Sequence, residues 1–461
     1  VNPTFSDRGT TTGAALYRRG FLGILVVFGL VIGFAGFSTL VQGPQLRGSS
    51  IDEATAITTA GVALTLRSDR ALAQVPQSAV VVTPEAEFEL DQSALELRVV
   101  FTHPLRSGTN YTVQVTDVKP RNLGAGTSWR STFQTPQQDI VFVRAAGAET
   151  ELVRFFLDDS EPQVVYRAPG IVGFAEVGVV FAVHRQWEDQ SILELVDPQS
   201  GGVDRIALSP DDRLESIASA SWGTSLLVTL DTTVDGQPLR GVVALLDTVG
   251  QRIPEIVRGA DGRPLRALKV QVSPVTGNVL VWLLDQSLII YEPLTGVAVP
   301  LGTAAELWGF NSLGTQAVFV DALGTVSVDI RTREETRIPV GQLDGFPVFH
   351  EMTTLSPAGL SYQRVVVPGF AEGPDFVVVT VADEDGLHRR LVGNLTTPES
   401  IGTVALSPNG QYLAVEINSL STPFGYAGLT QENIRQNTRV VILDVQDQVQ
   451  IVDTPGFSFV W

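Results

Sequence analysis

The residues able to do chemistry are few and scattered. Four histidines, His103, His184, His350 and His388, are the chain's imidazoles, and none lies within five positions of another. Metal sites built on one hairpin or helix place their ligands two to five residues apart, so no metal centre and no cofactor is expected. Zero cysteines exclude disulfides, thiolate metal sites, cysteine nucleophiles and a lipid-modified N-terminal cysteine. There is no Gly-x-Ser-x-Gly elbow to expose a serine nucleophile, and no glycine-rich loop leads into a helix to cradle phosphate. Asp383, Glu384 and Asp385 before Gly386 gather three carboxylates, but the alternate-position spacing and distal glutamate of a calcium loop are missing; this reads as an Asp-Gly hairpin turn. With 50 acidic against 31 basic residues the chain carries −19, and a polyanion is repelled by nucleic acid and by anionic membrane surfaces.

Any site must therefore be assembled by the fold. The composition, 44% apolar and 18% charged with 43 Gly and 26 Pro, fits a β-rich, turn-rich protein with ample core, and 461 residues exceed one domain. Residues 21–41 are 21 consecutive uncharged positions. As a helix they would span about 31 Å, the hydrocarbon thickness. Arg8, Arg18 and Arg19 precede the run with Asp7 as their only opposition, which leaves +2 on residues 1–42 and −21 on the remainder of a −19 chain. The positive-inside rule then makes 1–20 a cytoplasmic tail and 21–42 a single transmembrane helix, with all later residues outside the cytoplasmic membrane. A cleaved signal peptide fits less well, because the nearest small pair, Val41 and Gly43, runs into Pro44. Tyr17 to Leu22 (YRRGFL) resembles the twin-arginine export signal, which bears on the route and not on the topology. Two lysines beside 29 arginines point to a GC-rich bacterial genome, and a valine at position 1 fits a GTG start.

Residues 43–50 read as a linker. From 51 to 136 apolar and polar residues alternate in short runs at 61–66, 79–83, 87–90, 95–101, 110–118 and 128–134, the pattern of a β-sandwich. The stretches 105–115 (LRSGTNYTVQV) and 129–135 (WRSTFQT) resemble the second half of bacterial Ig-like domains. That resemblance implies a spacer or adhesive module with Tyr111 as a buried tyrosine corner.

Beyond 136 the sequence repeats. Leu208-Ser209-Pro210, Val272-Ser273-Pro274, Leu355-Ser356-Pro357 and Leu406-Ser407-Pro408, with Asn311-Ser312-Leu313-Gly314 as a further copy, give steps of 64, 39, 44 and 51 residues. The stretch 406–416 (LSPNGQYLAVE) resembles the inner hairpin of Tol-type and WD-repeat-like β-propellers, which implies four-stranded blades with a Ser-Pro turn between the first two strands. Asp158, Asp197, Asp247, Glu292, Asp329, Asp383 and Asp444 each end a third strand, which counts seven units; they read as turn openers, since metal ligands must converge within a few Å. The first unit has three strands, and the chain ends on Phe457-Ser458-Phe459-Val460-Trp461, which has the character of a missing first strand. The expected architecture is all-β after an N-terminal transmembrane helix: an Ig-like β-sandwich at 51–136, then a seven-bladed β-propeller at 137–461 closed by its C-terminal strand.

The function this supports is a noncatalytic, membrane-anchored cell-envelope scaffold or binding protein whose propeller recognises a protein, peptide or glycan. The alternative is a lyase or lactonase-type enzyme in the central channel, for which His350, Glu351, Glu306 and Glu176 are the only supply on first strands. In antiparallel blades the second-to-third-strand loops share a face with the connections between blades. These loops read as long in blades two (184–190), three (231–240), six (368–374) and seven (418–437), and short in four and five. Trp187, Phe370, Phe424 and Tyr426 lie on them and are the candidate partner-binding residues.

Overall fold

The computed structural model describes residues 21, 23–31, 43–122, 124–157, 161–219, 223–273, 276–357, 359–368, 375–383, 386–393, 399–419 and 435–461. Positions 21 and 23–31 are helical, and their large apolar side chains are all more than half exposed. Among the described residues no helix is long and apolar enough to cross a membrane; positions 22 and 32–42 of the expected span lie outside them.

The chain forms two compact units, the first built mainly from Gly61–Thr102 and Asn110–Gln134. One of its antiparallel sheets has the order Leu46–Ser50, Ala63–Ser68, Glu96–Phe101, Phe88–Gln92; the other has Val80–Thr83, Asn110–Val118, Thr127–Gln134. Alternation along the strands buries Leu64, Leu66, Leu97, Val99 and Phe101 from the first sheet and Tyr111, Val113, Val115, Trp129 and Phe133 from the second. The Phe133 ring stacks on Tyr111 at 5.4 Å and meets Phe101 across the sheets at 6.2 Å. One boundary needs correcting. Residues 43–50 are no free linker, since Leu46–Ser50 pairs with Ala63–Ser68 as an edge strand. Trp129 Nε1 donates to Pro44 O at 2.8 Å, and Gln45 N donates to Asp69 Oδ1 at 2.8 Å. The strand buries almost no side chain and is held by main-chain pairing, which leaves no periodicity to read.

The second unit comprises Ala54–Ala60, His103–Thr109 and Thr135–Trp461, so two segments expected in the sandwich fold with the repeats instead. Within that unit Ser107 N donates to Gln411 Oε1 at 2.9 Å, and Asn409 Nδ2 donates to Leu105 O at 3.2 Å. Seven sheets follow one another, antiparallel throughout except for the parallel pairing of Gln342–Leu343 with Leu387–Val392 in the sixth. Sheet one is Phe457–Val460, Asp139–Ala146, Glu149–Phe156 and Gln163–Ala168, so its innermost strand comes from the end of the chain. The later sheets begin with Ile171–Val177, Arg213–Ser219, Ala267–Val272, Glu306–Phe310, Phe349–Leu355 and Ser400–Leu406. These first strands touch in succession. Apolar side chains fill each seam between neighbours, and Ile140, Phe142, Tyr412, Ala414 and Phe459 join sheet seven to sheet one. The second unit is thus a closed seven-bladed β-propeller. Middle strands such as Ser225–Val234 and Tyr412–Asn418 carry uninterrupted buried runs because each blade is packed on both faces.

The Ser-Pro turns have a local physical cause. Ser407 Oγ accepts from Tyr412 N at 2.9 Å, Ser356 Oγ from Leu360 N at 3.1 Å, and Ser273 Oγ from Thr276 N at 3.1 Å, so each serine satisfies a turn amide. Leu208-Ser209-Pro210 is different: it lies between Val203–Ile206 of blade two and Arg213–Ser219 of blade three, in a connection between blades. The 64-residue step was the outlying one for that reason. The acidic third-strand ends open turns: Asp197 Oδ1 accepts from Gln199 N, Asp329 Oδ1 from Thr332 N and Asp444 Oδ1 from Gln446 N, at 2.7–2.9 Å. Asp158 lies outside the described residues.

Blade six departs from the pattern. Its sheet has six strands, in the order Phe346–Pro347, Gln342–Leu343, Leu387–Val392, Phe376–Ala382, Ser361–Val367, Phe349–Leu355. Pro347 on one edge and Phe349 on the other are two residues apart, at most about 8 Å, so the two edges meet and the sheet rolls on itself. Leu343, Val348, Val365, Val367 and Val378 pack together there.

Candidate functional site

The loop face is built differently from what spacing suggests. In blade two, Val180–Trp187 and Gln190–Val196 leave a two-residue turn, with Glu188 at φ 52°, and His184 sits in mid-strand. In blade three, Ser225–Val234 and Gln237–Asp247 are joined by Asp235 and Gly236, both at positive φ as a tight primed hairpin turn requires. The apparent long loops at 184–190 and 231–240 are therefore strand extensions, whose polar outer residues hid the pairing. Blades six and seven keep longer connections, but Phe370, Phe424 and Tyr426 lie outside the described residues.

Trp187 stands at its hairpin tip, 48% exposed. It borders a cleft of about 200 Å³ whose other walls are the Gly147 hairpin of blade one, Gly170 in the connection to blade two, and Arg435 after the long loop of blade seven. Gly170 has φ +74°, and a Cβ there would lie 2.1 Å from Gln186 O, so the close approach of connection and hairpin depends on glycine. The Arg435 guanidinium lies 5.6 Å from the Phe457 ring centroid, over the strand that closes the propeller. An exposed indole and a guanidinium across a shallow cleft suit stacking on a ring or an extended peptide together with one charged or hydrogen-bonded group.

The central channel offers a second hollow, about 420 Å³, toward the Ser-Pro turns. Trp308, Phe310, Met352, Thr353, Phe459 and Trp461 are among its walls, and no described side chain lining it is titratable. Trp308 Nε1 and Thr353 Oγ1 are buried there without a hydrogen-bond partner. Several ionisable first-strand groups lie elsewhere and are engaged. Glu351 pairs with Arg364 at 3.2 Å, and Arg364 also donates to Ile401 O at 3.0 Å and Gly402 O at 2.8 Å. Lys269 Nζ donates to Leu307 O at 2.8 Å; burial lowers its pKa, and Glu306 opposes that shift. Glu176 sits 3.6 Å from Arg154, and burial raises its carboxyl above the usual range.

Among the described residues no group of three or more His, Asp or Glu side chains converges on one point. Two histidines do approach each other, contrary to their spacing in sequence: the His350 and His388 rings are 5.6 Å apart in the rolled sheet of blade six. The 37 intervening positions carry no motif that announces this, because only the roll of the sheet creates it.

No family model and no curated protein matches the chain. Among solved structures it is similar to TolB-like β-propellers at low identity. TolB from Acinetobacter baumannii is 13% identical over 84% of each chain, with a TM-score of 0.36. A putative 6-phosphogluconolactonase from Bacteroides fragilis is 13% identical over 70% of this chain and 97% of its own, with a TM-score of 0.40. The Nidogen/Laminin complex contains a chain 13% identical over 70% of this one and 97% of its own, at 0.37. The propeller assignment rests on the strand order and the closed ring of seams.

Proposed function

We propose that this chain is a noncatalytic binding protein of the bacterial envelope, anchored by residues 21–42, whose propeller captures a protein, peptide or glycan on the loop face beside Trp187. The observation that carries this reading is the cleft shared by blades seven, one and two, which a half-exposed tryptophan lines together with Arg435 and Glu149. Recognition residues gain affinity when the frame beneath them is already fixed. The neutral lining of the channel cavity also favours binding over catalysis, since an acid–base or nucleophilic step needs a titratable group at the reacting atoms. A photo-reactive phenylalanine analogue at position 187 should cross-link a partner on intact cells, and one at position 249, on the Ser-Pro face, should not. Equal yields from both positions, or none from 187, would refute the assignment. Trp187→Ala should weaken capture roughly thirtyfold, the effect of an aromatic hot spot of about 2 kcal/mol, without moving the melting temperature.

The anchor rests on the uncharged run and on apolar helix residues that present their side chains away from protein. A helix apolar on all sides finds its stable partner in hydrocarbon. Protease added to wall-stripped cells should digest the chain beyond position 42 while leaving a membrane-bound fragment. Complete protection would place the propeller on the other side.

A further inference from the structure

We propose that His350 and His388 together bind one divalent transition-metal ion, of the copper, nickel or zinc class, where the sheet of blade six closes on itself. The geometry starts from the hydrogen bonds around His388. Thr380 Oγ1 stands 3.4 Å from Gln363 O and 2.8 Å from His388 Nδ1, so its proton has the carbonyl to go to while its oxygen accepts from an Nδ1–H. In the tautomer with Nδ1 donating to that hydroxyl, the one a cation at Nε2 selects, Nε2 presents its lone pair. That nitrogen is buried, in a side chain 5% exposed, and has no hydrogen-bond partner. Both nitrogens of His350 are likewise buried and unpartnered, and one of them must also present a lone pair.

Two buried imidazoles whose centroids are 5.6 Å apart, each with a ring nitrogen left unsatisfied, gain if one cation takes a lone pair from each. Metal–nitrogen bonds of about 2.0 Å would set two imidazole centroids roughly 5 Å apart on one tetrahedral ion, close to the 5.6 Å present. Gly341 packs against the Nε2 edge of His388, where a Cβ would stand 2.5 Å from that nitrogen, so a larger residue there would crowd the ring. The charged group felt at His388 is the Asp383 carboxylate, which favours positive charge, and burial keeps both rings neutral at pH 7, the ligating form. Solvent would complete the coordination. An ion here would tie the first strand of blade six to its last, fixing the roll.

Titration of the full chain with Cu²⁺ should give one bound equivalent with an electron paramagnetic resonance spectrum of two nitrogen donors. Ni²⁺ and Zn²⁺ should compete more weakly than Cu²⁺, and Mg²⁺ not at all. Zn²⁺ should raise the melting temperature by several degrees. His350→Gln and His388→Gln should each abolish the two-nitrogen spectrum. Should either variant fail to fold, pulsed electron paramagnetic resonance of Cu²⁺ on the wild-type chain, which should show the remote ring nitrogens of two imidazoles, supplies the same test. Absence of a stoichiometric two-nitrogen site in the wild-type chain, its retention in either variant, or fewer than two coordinated imidazoles would overturn the proposal.

Discussion

Deletion of residues 457–461 is expected to open the propeller and remove most of its stability. Phe457 pairs with Val143, Phe459 with Phe142 and Val460 with Val141, so the last strand is the innermost strand of blade one. Phe457 belongs to the apolar cluster between blades one and two, and Phe459 to the cluster between blades seven and one. Trp461 adds a ring contact with Tyr412 and an Nε1 hydrogen bond to Ala405 O at 3.1 Å. Removing a buried phenylalanine costs roughly 3–5 kcal/mol, so the two together approach the whole stability of an ordinary domain. The deletion also bares the edge of Asp139–Ala146, an open template for strand pairing between molecules. Phe457→Ala with Phe459→Ala should reproduce most of the loss while keeping the backbone strand. Differential scanning calorimetry on the three proteins measures the effect, and an unchanged propeller transition after deletion would show that closure contributes nothing.

Acid is expected to weaken the propeller well above the range in which carboxylates titrate. His184 is buried in blade two, and burial alone brings its pKa from the ordinary 6.5 down to about 4. The sign follows from proton uptake. Between pH 7 and pH 5 the unfolded chain protonates this histidine and the folded chain does not, so the unfolded state gains protons and stability falls as the pH drops. The full contribution is present above pH 6.5 and is lost toward pH 4. By pH 5 the loss from His184 is roughly 2 kcal/mol. His350, brought to about 4 by burial and by the neighbouring His388, acts in the same direction. Urea unfolding at pH 7 and pH 5 checks this, with His184→Leu as the comparison. The pH 7 to pH 5 loss should shrink by about 2 kcal/mol in the variant, and equal losses in both proteins would mean that His184 is solvated in the folded state.

The seams of the ring differ in chemistry. Between blades five and six the buried apolar cluster among the described residues is only Trp308, Val318 and Leu355, whereas blades two and three share a cluster that includes Leu193, Ile206, Leu214, Leu226, Val228 and Leu246. Thr353, Gln363, Thr380 and His388, all buried, lie on one face of blade six. Blade six thus combines the least apolar seam, the rolled sheet and the histidine pair.

What the amino-acid order determined by itself is what neighbours in the chain can encode. Apolar runs separated by turn residues gave the blades, serine side chains marked the turns whose amides they satisfy, and the aromatic ending at Phe457 and Phe459 marked a strand without a local partner. The same reading went astray where local cues were silent or ambiguous. Leu46–Ser50 pairs through main chain with almost no buried side chain, Leu208-Ser209-Pro210 repeats a turn motif in a connection, and the polar outer ends of the blade-two and blade-three strands look like loops. The tertiary structure alone decided which side chains share a site. Trp187 and Arg435 border one cleft because ring closure brings blade seven round to blades one and two, and His350 meets His388 because the six-stranded sheet of blade six curls until its two edges come near each other. Hydrophobic periodicity specifies which face of a strand is buried, but the curvature of a sheet and the closure of a ring depend on contacts made only after the elements have packed.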